Sequence, residues 1–345
     1  MIYFSEQGYQ YLNNLLSEKN YSKIFVLTDS NTNELCSAPF LAEVATEIPI
    51  EVIEIEAGEA HKTIDTCTEI WKILLELGAD RNSLMIGLGG GVITDMAGFV
   101  ASVFKRGIAF VHVPTSLLGM VDAAIGGKNG VDLGNLKNQI GTITLPEMVL
   151  IDPRFLNTLP NDQIRSGYAE MLKHGLIFDK EYWDKLSDIK NIDFSDLEEL
   201  IMESVAIKLH ITSQDLNESG LRKTLNFGHT LGHAIESYFL ENPDKMTLLH
   251  GEAVAVGMIL ESYISLQNHL LSETEYQHIK SVLGNIYPIP DFSETDVEKI
   301  IELLIFDKKN SHGKINFVLL QRIGQAVIDQ HAEKETLLAA FGDLK

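Results

Sequence analysis

The first half of the chain alternates short apolar runs with polar, glycine-containing turns. Residues 23–28 (KIFVLT) form an unbroken apolar run that ends in Asp29-Ser30-Asn31, which predicts a buried strand meeting a polar loop. Residues 51–56 (EVIEIE) alternate with period two and predict a second strand. The polar Ala57-Gly58-Glu59-Ala60-His61-Lys62 then leads into a helix over 64–77, with Gly78 as its C-terminal cap. Residues 83–95 (SLMIGLGGGVITD) run from a buried strand through Gly89-Gly90-Gly91 into a helix rich in small residues. A further strand over 108–113 (IAFVHV) ends in Pro114-Thr115-Ser116. Strands alternating with helices predict an α/β unit with a mainly parallel sheet, whose ligands bind at the carboxyl ends of the strands.

Two glycine-rich polar stretches follow, 122–130 (DAAIGGKNG) and 136–141 (LKNQIG); they read either as solvated turns or as functional loops. After Asp152-Pro153 the pattern becomes helical, with amphipathic stretches at 161–178, 195–217, 226–241, 250–270 and 294–306. A closing hairpin is expected around a strand over 314–320. The expected organisation is a Rossmann-like α/β domain over 1–157, followed by a mainly α-helical domain over 158–345.

Composition narrows the class. A chain of 345 residues accommodates two domains. Its formal charge is −22, from 27 basic and 49 acidic side chains, which argues against nucleic acid or an anionic membrane as partner. Any cluster of cations is therefore informative. Cys36 and Cys67 belong to no metal or redox motif. The opening MIYFSEQGYQYL has no basic n-region or apolar core, and no apolar run approaches the ~20 residues of a bilayer span. The expectation is a soluble cytoplasmic protein.

The chemistry centres on residues 225–236, LNFGHTLGHAIE. His229 and His233 are four apart, so a helix places them on one face, with Glu236 on the same face. His250 opens a second apolar stretch, HGEAVAVGMIL. A helix-borne His pair with a separate third ligand holds a metal while leaving a position open; the alternative is ordinary core or surface histidines. In 167–174, Glu170, Lys173 and His174 share one helix face. Strand, triple glycine and helix bring backbone N–H groups up to a phosphate. The pattern is not GxGxxG, however, and no acidic residue follows ~20 positions on to hold a ribose. The bland alternative is a tight turn. Lys128, Lys137, Lys173, Lys208 and Arg222 would hold an anionic substrate carrying phosphate or carboxylate. A nicotinamide cofactor beside a divalent metal suggests alcohol oxidation.

GGGVITDMAGF, KRGI, PTSLLGMVDAAIGGKNGVD, LKNQIG, the 167–175 segment, LRKTLNFGHTLGHAIE, HGEAVAVGM and DKKN occur in the order seen in 3-dehydroquinate synthases. From about residue 24 to 325 the chain resembles that family. Iron-containing alcohol dehydrogenases and glycerol dehydrogenases are looser relatives sharing a two-domain plan. The resemblance implies the dehydroquinate synthase-like fold and a homodimeric lyase using NAD and Zn2+ (or Co2+). It would convert 3-deoxy-D-arabino-heptulosonate 7-phosphate into 3-dehydroquinate and phosphate, in the shikimate pathway of aromatic amino acid biosynthesis. The family cycle is oxidation of a ring alcohol by NAD, phosphate elimination, reduction of the ketone, ring opening and aldol closure. The substrate's own phosphate is the expected proton acceptor, so no dedicated carboxylate base is required.

By the same resemblance the metal ligands are Glu170, His229 and His250, with His233 on the substrate side and His174 outside the ligand set. Asp122, Lys128, Lys173, Lys208, Arg222 and Asn226 would hold the substrate's carboxylate and hydroxyls. Lys137, Asn138, Lys308 and Lys309 would lie near the substrate or its phosphate, and Arg106 would reach a neighbouring subunit's site. NAD contacts would come from Asp29, Asn31, Gly58, Glu59 and Lys62, and from Gly91, Val92, Ile93, Thr94 and Asp95. Thr115, Ser116, Lys128, Lys137, Phe155, Leu156, Asn157 and Thr158 would complete that set. Ala57 and Thr94 depart from the family pattern, which commonly has Asp and Gly there. The rival readings are another sugar-phosphate cyclase, such as an amino-dehydroquinate synthase, and an NAD-dependent polyol dehydrogenase.

Overall fold

A computed structural model describes residues 1–134, 136–188, 196–305 and 315–344. The chain separates into two compact units, Met1–Pro160 and Asn161–Lys345.

Along the first unit run β1 (Ile2–Phe4), α1 (Ser5–Glu18), β2 (Ile24–Asp29), α2 (Ser30–Glu43), β3 (Ile50–Ile55) and α3 (Ile64–Glu76). Then come β4 (Leu84–Gly89), α4 (Gly91–Val103), β5 (Ala109–Pro114), β6 (Lys128–Leu133), β7 (Leu136–Ile143) and β8 (Met148–Ile151). Six strands form a parallel sheet in the order β1-β8-β5-β4-β2-β3. Its central strands are buried on both faces, which is why they read as unbroken apolar runs. Phe25, Leu27, Met85, Met96, Phe99 and Phe110 belong to the core beneath α3 and α4. From β3 at the edge the chain returns to the other side of β2 to form β4. The carboxyl ends of β2 and β4 thus flank the reversal of winding, the place where open α/β sheets bind ligands.

The two glycine-rich stretches are not solvated turns. The end of the first, from Lys128, and the whole of the second form an antiparallel hairpin, β6 with β7, in which Gly130 faces Gly141. A Cβ on Gly141 would lie 2.3 Å from the Asn129 carbonyl oxygen, so the glycines there permit close strand approach rather than a turn. The hairpin also packs on α4: a Cβ on Gly98 would fall 1.8 Å from Asn129 Oδ1.

Asn129 meets His112 of β5, which is 2% exposed; its Nε2 is 3.3 Å from Asn129 Oδ1, while Nδ1 has no hydrogen-bond partner. Burial pushes this imidazole down to about 4. The unfolded chain therefore takes up a proton near pH 6.5 that the folded chain refuses until near pH 4. Stability contributed by the neutral ring is complete above that window and is lost as pH falls through it, by about 2 kcal/mol at pH 5. Urea melts at pH 7 and pH 5 should differ by that much more in wild type than in His112→Leu. Equal differences would refute the assignment.

The second unit comprises α5 (Asn161–Phe178), α6 (Lys180–Ser187), α7 (Leu197–Gln214), α8 (His229–Glu241), α9 (His250–Gln267), α10 (Glu273–Ile286) and α11 (Glu294–Ile305). An antiparallel pair, β9 (Phe317–Arg322) with β10 (Gln325–Gln330), and α12 (Lys334–Asp343) complete it. Strand β9 begins later than the expected 314–320, and Lys314 lies outside the described residues. Helix α9 is buried almost all round, as a helix enclosed by others must be. It is packed by α5, α8, α10, α12 and β9.

The helix expected over 226–241 is shorter. Leu221–Asn226 is a 3-10 helix, and Gly228, at φ +77°, breaks the chain before α8 starts at His229. A side chain is impossible at that break: a Cβ on Gly228 would lie 2.4 Å from Met258 Cγ and 3.0 Å from the Val254 carbonyl oxygen. Among the described residues no helix is long and apolar enough to cross a membrane.

Candidate functional site

In the second unit, α5, α8 and α9 each deliver one group to a common point. Glu170, from the middle of α5, is fully buried. Its Oε1 stands 3.3 Å from His229 Nε2 and 3.6 Å from His250 Nε2, yet accepts no hydrogen bond from the described residues. Its Oε2 takes a short contact from the Lys173 ammonium, one turn along α5 and 1% exposed. A Glu and a Lys three apart are most often a surface pair, but the small and apolar residues around this one point to a buried role, and the fold buries both.

The outer nitrogens of both imidazoles are committed elsewhere. His229 Nδ1 lies 3.1 Å from the Phe227 carbonyl, which can only accept, so Nδ1 carries the proton. His250 Nδ1 lies 3.3 Å from Glu236 Oε2, a carboxylate, and donates in the same way. With both rings neutral, each Nε2 aims a lone pair at a carboxylate oxygen that has only lone pairs to offer. Three acceptors facing one another in a buried place repel unless a cation sits among them. Two donors on a tetrahedral ion with bonds of ~2.1 Å lie roughly 3.4 Å apart, which matches both separations. The donor set, two imidazoles and a carboxylate with a fourth position left open, fits a catalytic divalent metal.

The electrostatics agree with that reading. Burial works to raise the Glu170 carboxyl, but Lys173 and His229 overcome it and hold the group well below its usual range. Burial and the nearby Lys173 charge hold His229 down. For His250 burial works downward, but contacts with Glu170 and Glu236 prevail and raise it to about 9. A proton thus takes part of the place that a metal would fill.

His233 is brought to the same spot. Ring nitrogens of His229, His233 and His250 lie within 4.8 Å of one another. His174 Nδ1 lies 2.8 Å from Ser204 Oγ. Lys208 of α7 and Arg222 of the 3-10 helix are buried, at 5% and 3% exposure. Asp215 organises the loop before Arg222: its carboxylate accepts from the backbone N–H groups of Ser219, Gly220 and Arg222 at 3.0, 2.7 and 3.1 Å. Those backbone bonds hold the Asp215 carboxyl down at about 2. Arg222 Nη1 donates to the Leu216 carbonyl, and Asn226 Nδ2 to Glu218 Oε1. Lys308 and Lys309 lie outside the described residues.

In the first unit the candidate residues gather at the carboxyl ends of β2, β4 and β5. Gly90 precedes α4 with no side chain capping its N–H groups, so the first-turn donors of Gly91, Val92 and Ile93 lack helical partners. The β5 turn abuts this one: Thr115 N–H donates to the Gly89 carbonyl, and a Cβ on Gly90 would come within 3.1 Å of Ser116 Oγ. Three adjoining first-turn N–H groups at this helix start are the kind of donors that bind a phosphate. Thr94 turns its hydroxyl into its own helix, toward the Gly90 and Gly91 carbonyls.

Lys62 is buried, with Nζ 2.7 Å from both Asp95 Oδ2 and Asn138 Oδ1. Burial opposes its charge, but Asp95 and Glu59 raise its pKa further than burial lowers it. Glu59 Oε1 also lies 3.8 Å from Lys137 Nζ. Five candidates, Glu59, Lys62, Asp95, Lys137 and Asn138, are thereby joined. Gly58, at φ +116°, turns the chain into this cluster. Asp29 caps α2, accepting from Thr32 N–H at 2.8 Å, with Asn31 exposed beside it. Phe155 and Leu156 have buried side chains, so only their backbones are available; Asn157 and Thr158 are exposed. Asp122 lies on the π-helical turn Gly119–Ala123, and Lys128 opens β6. Arg106 is exposed on a turn where Lys105, Arg106 and Gly107 all have positive φ. Two such non-glycine residues in succession store strain, which is common where a side chain must be aimed.

Family models described as 3-dehydroquinate synthase N-terminal and 3-dehydroquinate synthase C-terminal match residues 52–166 and 167–310. The chain belongs to the 3-dehydroquinate synthase family. A 3-dehydroquinate synthase of Parabacteroides distasonis is 43% identical over 336 residues, covering 96% of this chain and 93% of that protein. Among solved structures, ValA, a 2-epi-5-epi-valiolone synthase from Streptomyces hygroscopicus subsp. jinggangensis with NAD+ and Zn2+ bound, matches with a TM-score of 0.87 at 28% identity. That match covers 100% of this chain and 96% of ValA. A 2-deoxy-scyllo-inosose synthase complexed with carbaglucose-6-phosphate, NAD+ and Co2+ matches at 0.83 and 26%, covering 99% and 96% of the two chains. The dehydroquinate synthase-like fold expected from the motifs, a parallel α/β unit before a helical one, is the fold observed. As a member of this family the chain is an enzyme of the sugar-phosphate cyclase class.

Sequence reasoning placed Glu236 on the His face without giving it a role, and passed over Glu218 and Asp215. Glu236 was within reach, because it lies seven residues after His229 and three after His233. The other two act through loop geometry that no periodicity reveals.

Proposed function

We propose that this chain converts 3-deoxy-D-arabino-heptulosonate 7-phosphate into 3-dehydroquinate and phosphate as a lyase dependent on NAD and Zn2+ (or Co2+). The observation that carries the reading is the convergence of Glu170 Oε1, His229 Nε2 and His250 Nε2 on one buried point, a carboxylate and two imidazoles at the separations a shared ion requires. Bound there, a divalent cation would acidify a ring hydroxyl and polarise the ketone, while NAD at the start of α4 would take the hydride and return it.

The protein's own groups do the rest. Lys173 holds Glu170 Oε2, fixing the carboxylate so that Oε1 faces the histidines. Lys208, Arg222 and Asn226 supply a cationic, hydrogen-bonding anchor for a carboxylate and hydroxyls, and this favours an acid substrate over a neutral sugar phosphate. His233, whose ring lies 5.1 Å from that of His229, is placed to hand a proton to or from a substrate hydroxyl. Asp122, Lys128, Lys137 and Asn138 complete the substrate contacts, to which the family resemblance adds Lys308 and Lys309 outside the described residues. The backbone N–H groups of Gly91–Ile93 and the cluster around Lys62 hold the dinucleotide. Arg106 serves the site of a partner subunit in a homodimer.

Phosphate release from the heptulosonate phosphate decides the matter. Stoichiometric phosphate with no lasting change at 340 nm is expected. Chelation should stop turnover, and Zn2+ or Co2+ should restore it. Steady NADH formation from glycerol, with no phosphate from the sugar acid, would establish a polyol dehydrogenase instead.

A further inference from the structure

Helix α8 begins at a metal-binding residue and has no side-chain cap of its own; its N-cap is Gly228, in a left-handed conformation. The missing cap is supplied by the neighbouring helix. Glu261 of α9 is fully buried, and its two oxygens accept from the Gly228 N–H at 2.6 Å and the Leu231 N–H at 3.1 Å. These donors bracket His229. A carboxylate withdrawn from water costs several kcal/mol unless charge or hydrogen bonds compensate it. Here the positive end of α8 and its unsatisfied N–H groups provide compensation.

The placement has a consequence for the metal centre. Helix α9 begins with His250 and carries Glu261 three turns further on. The helix bearing one imidazole therefore grips the start of the helix bearing the other. The contact surface allows little freedom: a Cβ on Gly232 would stand 3.1 Å from the Ala253 carbonyl oxygen, and one on Gly257 2.0 Å from the Gly228 carbonyl oxygen. Glycine packing sets the distance between α8 and α9, but smooth glycine surfaces leave the sliding direction weakly defined. A two-oxygen clasp on Gly228 and Leu231 fixes that direction.

We propose that Glu261 is a positioning residue for the metal centre: by capping α8 from α9 it sets the register that brings His229 and His250 together on Glu170 Oε1. The inference rests on the metal reading above. Glu261→Gln keeps the shape and one acceptor but turns an amide N–H toward a backbone N–H. Glu261→Ala removes the clasp.

The test uses the full-length protein stripped of metal, titrated with Zn2+ and with Co2+ as a spectroscopic probe, alongside amide hydrogen exchange over 228–232. Glu261→Gln should stay folded and bind Zn2+ about 10- to 100-fold more weakly, the loss typical of an outer partner to a ligand. Its cobalt absorption bands should shift, and the Leu231 amide should exchange faster. Zn2+ affinity and cobalt bands identical to wild type would overturn the proposal. If Glu261→Ala fails to fold, the glutamine variant still decides. Failure of the wild-type protein itself to bind Zn2+ or Co2+ would overturn the metal reading and this inference with it. Weakened binding confined to the variants separates the two.

Discussion

Glu170→Gln is expected to leave the protein without bound zinc and to lower turnover by at least about a thousandfold. Two effects act together and can be separated. The first concerns ligands: the one oxygen the amide keeps is uncharged and a weak zinc ligand, which leaves His229 and His250, and two imidazoles hold Zn2+ poorly. The second concerns the carboxylate's other oxygen, which contacts a Lys173 ammonium that is itself 1% exposed. Removing one partner of a buried ion pair costs about 3–5 kcal/mol, because the other charge remains out of water. The melting temperature should therefore fall even in metal-free protein. Adding Lys173→Met to Glu170→Gln should recover much of that stability without recovering zinc. His233→Ala provides the contrast, keeping zinc while losing most turnover. Elemental analysis and thermal melts on the four proteins check these outcomes. Full zinc occupancy in Glu170→Gln would remove it from the ligand set, and zinc loss in His233→Ala would make His233 a ligand.

The unequal visibility of these groups in the sequence has physical causes. His229 and His250 stand out because imidazoles at the start of apolar helical stretches are uncommon. Glu170 does not, since a Glu three residues before a Lys is what an exposed helix face also shows. The small and apolar residues around it point to a buried role, but its place as a ligand comes only with the family resemblance, and burial of the whole α5 turn is a tertiary fact. The helical set around His233 had a similar blind spot. Periodicity runs smoothly through 226–241, yet Gly228, at φ +77°, breaks the helix, and α9 leaves room for no residue but glycine there.

The sheet shows the same division. Strands β2 and β4 were plain from their apolar runs because both of their faces are covered. Strand β1, three residues long, is too brief to carry a pattern, and α2 contains Pro39, which obscured it. The β6–β7 hairpin looked like loops because its glycines and polar residues are the usual marks of turns. There they serve close packing on α4 and on each other. Helices α6, α10 and α12 were missed too. Each covers α5 or α9; α10 did carry a signal of its own, a Ser272–Glu275 capping box at its start, and α6 an Asp179 cap.

Gly257→Ala should be among the most damaging single-methyl changes available to this chain. The added Cβ would lie 2.0 Å from the Gly228 carbonyl oxygen and 2.8 Å from the Gly232 amide nitrogen. Both are backbone atoms of the α8 start, so no side-chain rotation relieves the clash, and α8 must retreat from α9 by an ångström or more. Overpacking of this kind typically costs 1–3 kcal/mol, and backbone against backbone belongs at or above the upper end. The displacement falls on the residue next to His229, whose Nε2 must stay near 3.3 Å from Glu170 Oε1 to share an ion. Metal sites tolerate only about ±0.2 Å in each bond. Zinc affinity should therefore collapse at temperatures where helical content by circular dichroism is intact. Gly284→Ala is the matched control: it adds the same methyl inside α10, where the only neighbour within reach is Ile289 Cδ1 at 3.7 Å. There the better helix propensity of alanine should stabilise the protein slightly, by about 0.5–1 kcal/mol, with zinc binding unchanged. A Gly257→Ala protein that melts and binds zinc like wild type would mean that α8 and α9 can part without disturbing the ligands, and the rigid seam between them would have to be abandoned as the support of the metal centre.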